Sequence, residues 1–96
     1  MTEQELEEIK LRIAATTKGP WISYIEGRNH TSGDNFIMTG VRGGEDIWDK
    51  NRGSDIYLTG ATNADQDFIA HARQDIPRLL DEVFRLKAEL EKIKKS

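Results

Sequence analysis

Asp75-Ile76-Pro77-Arg78-Leu79-Leu80-Asp81-Glu82-Val83-Phe84-Arg85-Leu86-Lys87-Ala88-Glu89-Leu90-Glu91-Lys92-Ile93-Lys94 is the stretch that decides the fold. Ile76, Leu79, Val83, Leu86, Leu90 and Ile93 recur at spacings of 3-4-3-4-3, the repeat of a helix that lays a narrow apolar seam against another helix. Pro77 fixes where that helix begins. A proline costs about 3 kcal/mol inside a helix but almost nothing in its first turn. With Asp75 as N-cap, the sequence predicts a break at Gln74–Asp75 and a helix over 76–94. At about 1.5 Å per residue it is roughly 28 Å long. Its first half is broad, with Ile76, Leu79, Leu80, Val83 and Phe84, and suits packing on a sheet. Its second half narrows to Leu86, Leu90 and Ile93, and suits a second helix.

The flanking charges bear on orientation. With Ile76 at heptad position a, Glu82 and Glu89 fall at g, and Lys87 and Lys94 at e. A parallel pair sets Glu82 against Lys87 and Glu89 against Lys94, all attractive; an antiparallel homodimer sets like against like. Each exposed pair is worth only about 0.2–1 kcal/mol, but together they favour a parallel dimer through Val83, Leu86, Leu90 and Ile93. Alternatively, Leu6, Ile9 and Ile13 supply the facing seam within one chain, and the two arrangements can coexist in a bundle.

Upstream, residues 3–16 read as an amphipathic helix. Thr2 and Glu5 form a capping-box pattern, and Gly19-Pro20 ends the helix, with Gly19 free to take a left-handed cap. From Trp21 to Thr59 the pattern changes to short β-branched and aromatic runs between glycine-bearing turns. The expected strands are Trp21–Ile25, Asn35–Val41 and Asp55–Thr59, in an antiparallel meander. After Gly60, Thr62 or Asn63 caps a helix over 64–73. The fold class predicted is α+β, ordered α-β-β-β-α-α. It is one domain over 1–96, a small three-stranded antiparallel sheet (21–59) flanked by an N-terminal helix and two C-terminal helices.

Composition excludes several functions. The 96 residues contain no cysteine, which removes disulfide scaffolds, zinc knuckles and thiol catalysis. No apolar run approaches the roughly 20 residues of a membrane span. The acidic start lacks the basic end of a secretion signal, so a cytoplasmic protein is expected. Net charge is −3, with both signs spread along the chain. That is a poor match for nucleic acid, which demands a basic face. No phosphate loop or nucleophile elbow is present, and Asp67 and His71, whose helical spacing could hold a metal, lack a third ligand; no cofactor, no metal and no catalytic residue is expected.

Two segments point to a family. Ala14-Ala15-Thr16-Thr17-Lys18-Gly19-Pro20-Trp21 resembles the A-T-x-G-P-W start of small Ead-like phage and prophage proteins. Asn63-Ala64 with Asp67 to Val83 resembles their N-A-x-F-I-A-x-A-R-x-D-V-P-x-L-L-x-E-V ending, with two additional residues, Asp65 and Gln66, in between. The resemblance covers about 25 residues. It implies an accessory phage product of a bacterial host's cytoplasm. Proteins of that size include counter-defence factors, some of them oligomeric sponges that sequester cyclic-nucleotide immune signals without cleaving them.

The ligand-binding candidates follow from chemistry. Arg28, Arg42 and Arg52 lie in or beside glycine-bearing loops, where guanidinium forks can rim a phosphate. Trp48, in the long second connection, offers a stacking face or a docking anchor. His71 stands four residues from both Asp67 and Asp75, a spacing that an i,i+4 contact explains as well as a ligand does. Arg73 near a helix end either answers the helix dipole or grips a phosphate. The function expected is non-catalytic capture of a nucleotide-like molecule by a homo-oligomer. The alternative is an oligomeric adaptor docking on a host protein through the 42–54 loop.

Overall fold

A computed structural model of the chain describes residues 1–31, 33–40 and 53–95. Its elements are α1 (Glu3–Ala15), β1 (Trp21–Tyr24), β2 (Phe36–Thr39) and α2 (Asn63–Lys95). The class is α+β, as expected, with a two-stranded antiparallel sheet and a long C-terminal helix. The chain divides into two compact units, Met1–Thr16 with Asp75–Ser96, and Thr17–Gln74.

In the first unit, α1 begins with the expected capping box. The Glu5 N–H donates to Thr2 Oγ1 (3.1 Å) and the Thr2 N–H to Glu5 Oε1 (2.8 Å). The helix ends differently from expectation. Thr16, in extended backbone, closes it by directing both its N–H (3.1 Å) and its hydroxyl (2.7 Å) to the Ile13 carbonyl. That hydroxyl makes a left-handed glycine unnecessary, and Gly19 has no positive φ.

α1 runs antiparallel to the second half of α2. Glu3 pairs with Lys87, while Lys10 and Ile13 lie beside Pro77, Leu80, Asp81 and Phe84. Leu6 and Leu80 are buried. In heptad terms α1 covers the e and b positions of α2. The a/d row is left bare: Ile76, Leu79, Val83, Leu86, Leu90 and Ile93 are 38% to 70% exposed. An internal hairpin therefore does form, but on a different stripe from the seam. Three of the four charges assigned to a parallel partner, Glu82, Glu89 and Lys87, already have partners inside the chain. Arg85 holds both Glu82 and Glu89 (the latter at 2.7 Å), and Lys87 holds Glu3.

The expected break at Gln74–Asp75 is absent. α2 is one helix from Asn63 to Lys95 with Pro77 inside it, in place of separate helices over 64–73 and 76–94. The proline removes one N–H, so a single carbonyl, that of Arg73, loses its helical donor. The cost of about 3 kcal/mol is local, and the helix is anchored on both sides of it, by Gln66 and Gln74 before and Leu80 after. Thr62 is the N-cap: the Asp65 N–H donates to Thr62 Oγ1 and the Thr62 N–H to Asp65 Oδ2, both at 3.1 Å.

In the second unit, β1 and β2 pair in the register Trp21↔Thr39, Ile22↔Met38, Ser23↔Ile37 and Tyr24↔Phe36. Ile25, Ile37, Met38 and Ala70 form its buried apolar core. The expected third strand, Asp55–Thr59, is reduced to one antiparallel bridge, Ile37↔Ile56. The cause is a slip in register. Gly53 donates to Thr39 (3.0 Å) but Ile56 pairs with Ile37 (2.8 and 2.9 Å). Two residues along β2 thus match three along the other segment, a bulge that stops the ladder from extending.

Candidate ligand site

The loop between the strands is fixed by its own hydrogen bonds. The Ile25 N–H donates to Asn29 Oδ1 (2.9 Å), while the Arg28 and Asn29 N–H groups return to the Ile25 carbonyl (3.0 and 2.9 Å). The Gly27 N–H reaches the His30 carbonyl at 2.7 Å, and Gly27 has φ +88°, a conformation that favours glycine. The Glu26 N–H donates to Asn35 Oδ1 (2.8 Å), and Asn35 Nδ2 reaches Asn63 Oδ1 (3.2 Å).

α2 is tied to this hairpin through polar side chains. Gln66 is buried, and its Nε2 donates to Ser23 Oγ (2.9 Å), the Tyr24 carbonyl (3.1 Å) and the Phe36 carbonyl (3.0 Å). The neighbouring Asp67 receives Arg28 Nη1 on both carboxylate oxygens at 3.0 Å. The Ser23 hydroxyl first, and then Arg28, hold the Asp67 carboxyl below the ordinary carboxylate range, and the charge of His71 acts in the same direction. A lowered carboxyl is a weaker base, so the pairing with Arg28 does not favour Asp67 as a proton acceptor at neutral pH. Among the described residues, no group of three or more His, Cys, Asp or Glu could hold a metal ion.

The other face of the loop is aromatic. Phe36 stacks on its cross-strand partner Tyr24, with ring centroids 5.2 Å apart and planes at 8°. His30 (5.8 Å) and Tyr57 (5.9 Å) meet the same ring at a tilt. An open cleft of about 390 Å³ lies there, lined by Tyr24, Asn29, His30, Asp34, Phe36 and Tyr57. A second, more open groove of about 530 Å³ runs beside Tyr57, Leu58, Phe68 and Ile69.

Of the residues singled out from sequence, Arg28 and His71 are brought together around Asp67. Arg73 is placed elsewhere: its Nε donates to the Thr17 carbonyl at 3.4 Å, and its guanidinium lies close to Gly19. Arg42, Trp48 and Arg52, and with them most of the 42–54 loop, lie outside the described residues. Val83, Leu86, Leu90 and Ile93 are exposed in the single chain. The aromatic cleft was not foreseen. Its signal was the pair of aromatics at facing strand ends, Tyr24 and Phe36, which in sequence alone is indistinguishable from a core pair.

No helix among the described residues is long and apolar enough to cross a membrane. No family model, curated protein or solved structure matches the chain.

Proposed function

We propose that this protein is a non-catalytic, homo-oligomeric binding protein that captures a nucleotide-like small molecule. The observation that carries the reading is the bare a/d row of α2. A soluble chain that leaves six large aliphatic side chains in register along one helix gains by covering them. Among the described residues the segment able to do so, α1, is already seated on the neighbouring stripe of Leu80, Phe84 and Lys87. The occupant is a second copy, because a 3-4 repeat interdigitates best with a like repeat. The flanks of the row carry Glu82 and Glu89 on one side and Lys87 and Lys94 on the other, a mixture that does not repel a parallel copy.

The capture half of the reading is supported by the Phe36 cleft, whose rings suit a flat heterocycle. It is also supported by Arg28, whose exposed guanidinium can exchange Asp67 for a phosphate. With the resemblance to Ead-like phage proteins, it extends to a counter-defence role in a bacterial cytoplasm, with a cyclic nucleotide as the molecule held. Light scattering tests the assembly, and thermal shift against cyclic di- and trinucleotides and cyclic ADP-ribose isomers tests the capture. A folded single subunit at tens of micromolar removes the first half. The absence of stabilisation by any of these ligands well above micromolar concentration removes the second.

A further inference from the structure

We propose that the Phe36 cleft seats the base of the captured molecule and selects guanine. This rests on the capture reading and names the part of the ligand that the hairpin holds. Tyr24 and Phe36 stack because the strand register sets them opposite one another. Tyr57 is held by no such register. It follows the Ile56 bridge, reaches the Phe36 ring, and is still 60% exposed. A flat heterocycle laid against Tyr57 and Phe36 takes that surface out of water and gains stacking. At about 390 Å³ the cleft falls inside the roughly 300–1,000 Å³ of small-molecule sites.

The polar lining sets the base. Asp34 lines the cleft, and among the described residues it makes no hydrogen bond or ion pair. Among the described residues no lysine or arginine lines the cleft, so a phosphate is unwelcome beside Asp34 and the base end of a nucleotide is the end that enters. A carboxylate offers two acceptor oxygens and no donor. Guanine answers it with two adjacent N–H donors, N1–H and N2–H, on its Watson–Crick edge, a charge-assisted bidentate pair. Adenine and cytosine each present one amino donor next to a ring-nitrogen acceptor. The single N–H of uracil lies between two carbonyls that oppose a carboxylate.

Calorimetry with guanosine, adenosine and cytidine on the wild type, Asp34→Asn and Tyr57→Ala tests this, with circular dichroism as the check on folding. Guanosine is expected to bind at least tenfold more tightly than adenosine. Asp34→Asn is expected to remove that preference, and Tyr57→Ala to weaken guanosine tenfold or more. Equal affinity for guanosine and adenosine, or guanosine binding indifferent to either substitution, overturns the guanine seat and leaves capture standing. If no nucleoside, and no cyclic nucleotide in the thermal-shift panel, binds the wild type, both readings fall.

Discussion

Gln74 is joined twice to the backbone of Trp21: its Oε1 accepts from the Trp21 N–H at 2.8 Å, and its Nε2 donates to the Trp21 carbonyl at 3.0 Å. The side-chain amide thus stands in for a neighbouring strand along the outer edge of β1. It satisfies groups that an edge strand otherwise leaves to water. Two turns earlier on α2, Gln66 does the same work inside the core.

Gln74→Ala is expected to lower unfolding free energy by about 1–2 kcal/mol, the cost of losing two hydrogen bonds at a half-buried site. Gln66→Ala, which removes three hydrogen bonds made by a buried amide, one of them to the buried Ser23 hydroxyl, is expected to cost more, about 2–4 kcal/mol. Urea unfolding of the two variants checks the order. A smaller loss for Gln66 would mean that water replaces its amide.

Leu86→Glu with Leu90→Glu is expected to reduce the solution mass to that of one chain while leaving helix content unchanged. Both side chains are about half exposed in the single chain, so the substitution removes nothing from its own core. Light scattering alongside circular dichroism checks this. Leu80→Glu is the control, because Leu80 is buried beside α1 and its replacement is expected to unfold the hairpin.

Acid is expected to weaken the fold through Asp67, Glu5 and Glu82. Each carboxyl lies below its ordinary value. For Asp67 the Ser23 hydroxyl is the main cause, for Glu5 the Thr2 N–H, and for Glu82 the Arg85 guanidinium. A folded-state value below the unfolded one adds stability that is complete above the unfolded value, near pH 4. That stability is lost as pH falls through the folded value. Asp67→Asn is therefore expected to be less stable than wild type at pH 6 and to show a flatter decline between pH 5 and pH 2.5. Denaturation at those pH values measures the difference; parallel curves would show that Asp67 carries none of the acid sensitivity.

Gly53→Ala is expected to destabilise by about 1–3 kcal/mol through overpacking. An added Cβ would fall well inside contact distance of Thr39 Oγ1 and Thr17 Cγ2. Gly27→Ala meets no atom within 4 Å. Its cost comes from the positive φ alone and is expected to be smaller, about 1 kcal/mol. Thermal unfolding of the pair separates crowding from backbone strain.

How much of this was legible in the residues depends on the range of the interaction. Local chemistry read correctly: the Thr2–Glu5 box is a three-residue pattern and it formed, and Thr62, one of the two caps expected, is the N-cap. The seam was legible as a period, and its residues are exposed together. Pro77 was misread because its cost is local while the anchors that outweigh it, Gln66, Gln74 and Leu80, act through residues distant in sequence. The third strand failed for a similar reason, since one extra residue between Gly53 and Ile56 is invisible to an alternation count. Around Asp67, the i,i+4 spacing to His71 was visible in the sequence and the Arg28 contact, 39 residues away, was not; the Phe36 cleft needed the strand register before it could be assembled.

Gly40 and Gly53 tie the two ends of the segment between them to the hairpin, the first donating to the Pro20 carbonyl and the second to that of Thr39, each at 3.0 Å. Both ties run from a main-chain N–H to a main-chain carbonyl. Residues 40 and 53 are thereby held beside the start of β1 and the end of β2 by bonds that no side-chain substitution at Pro20 or Thr39 removes directly.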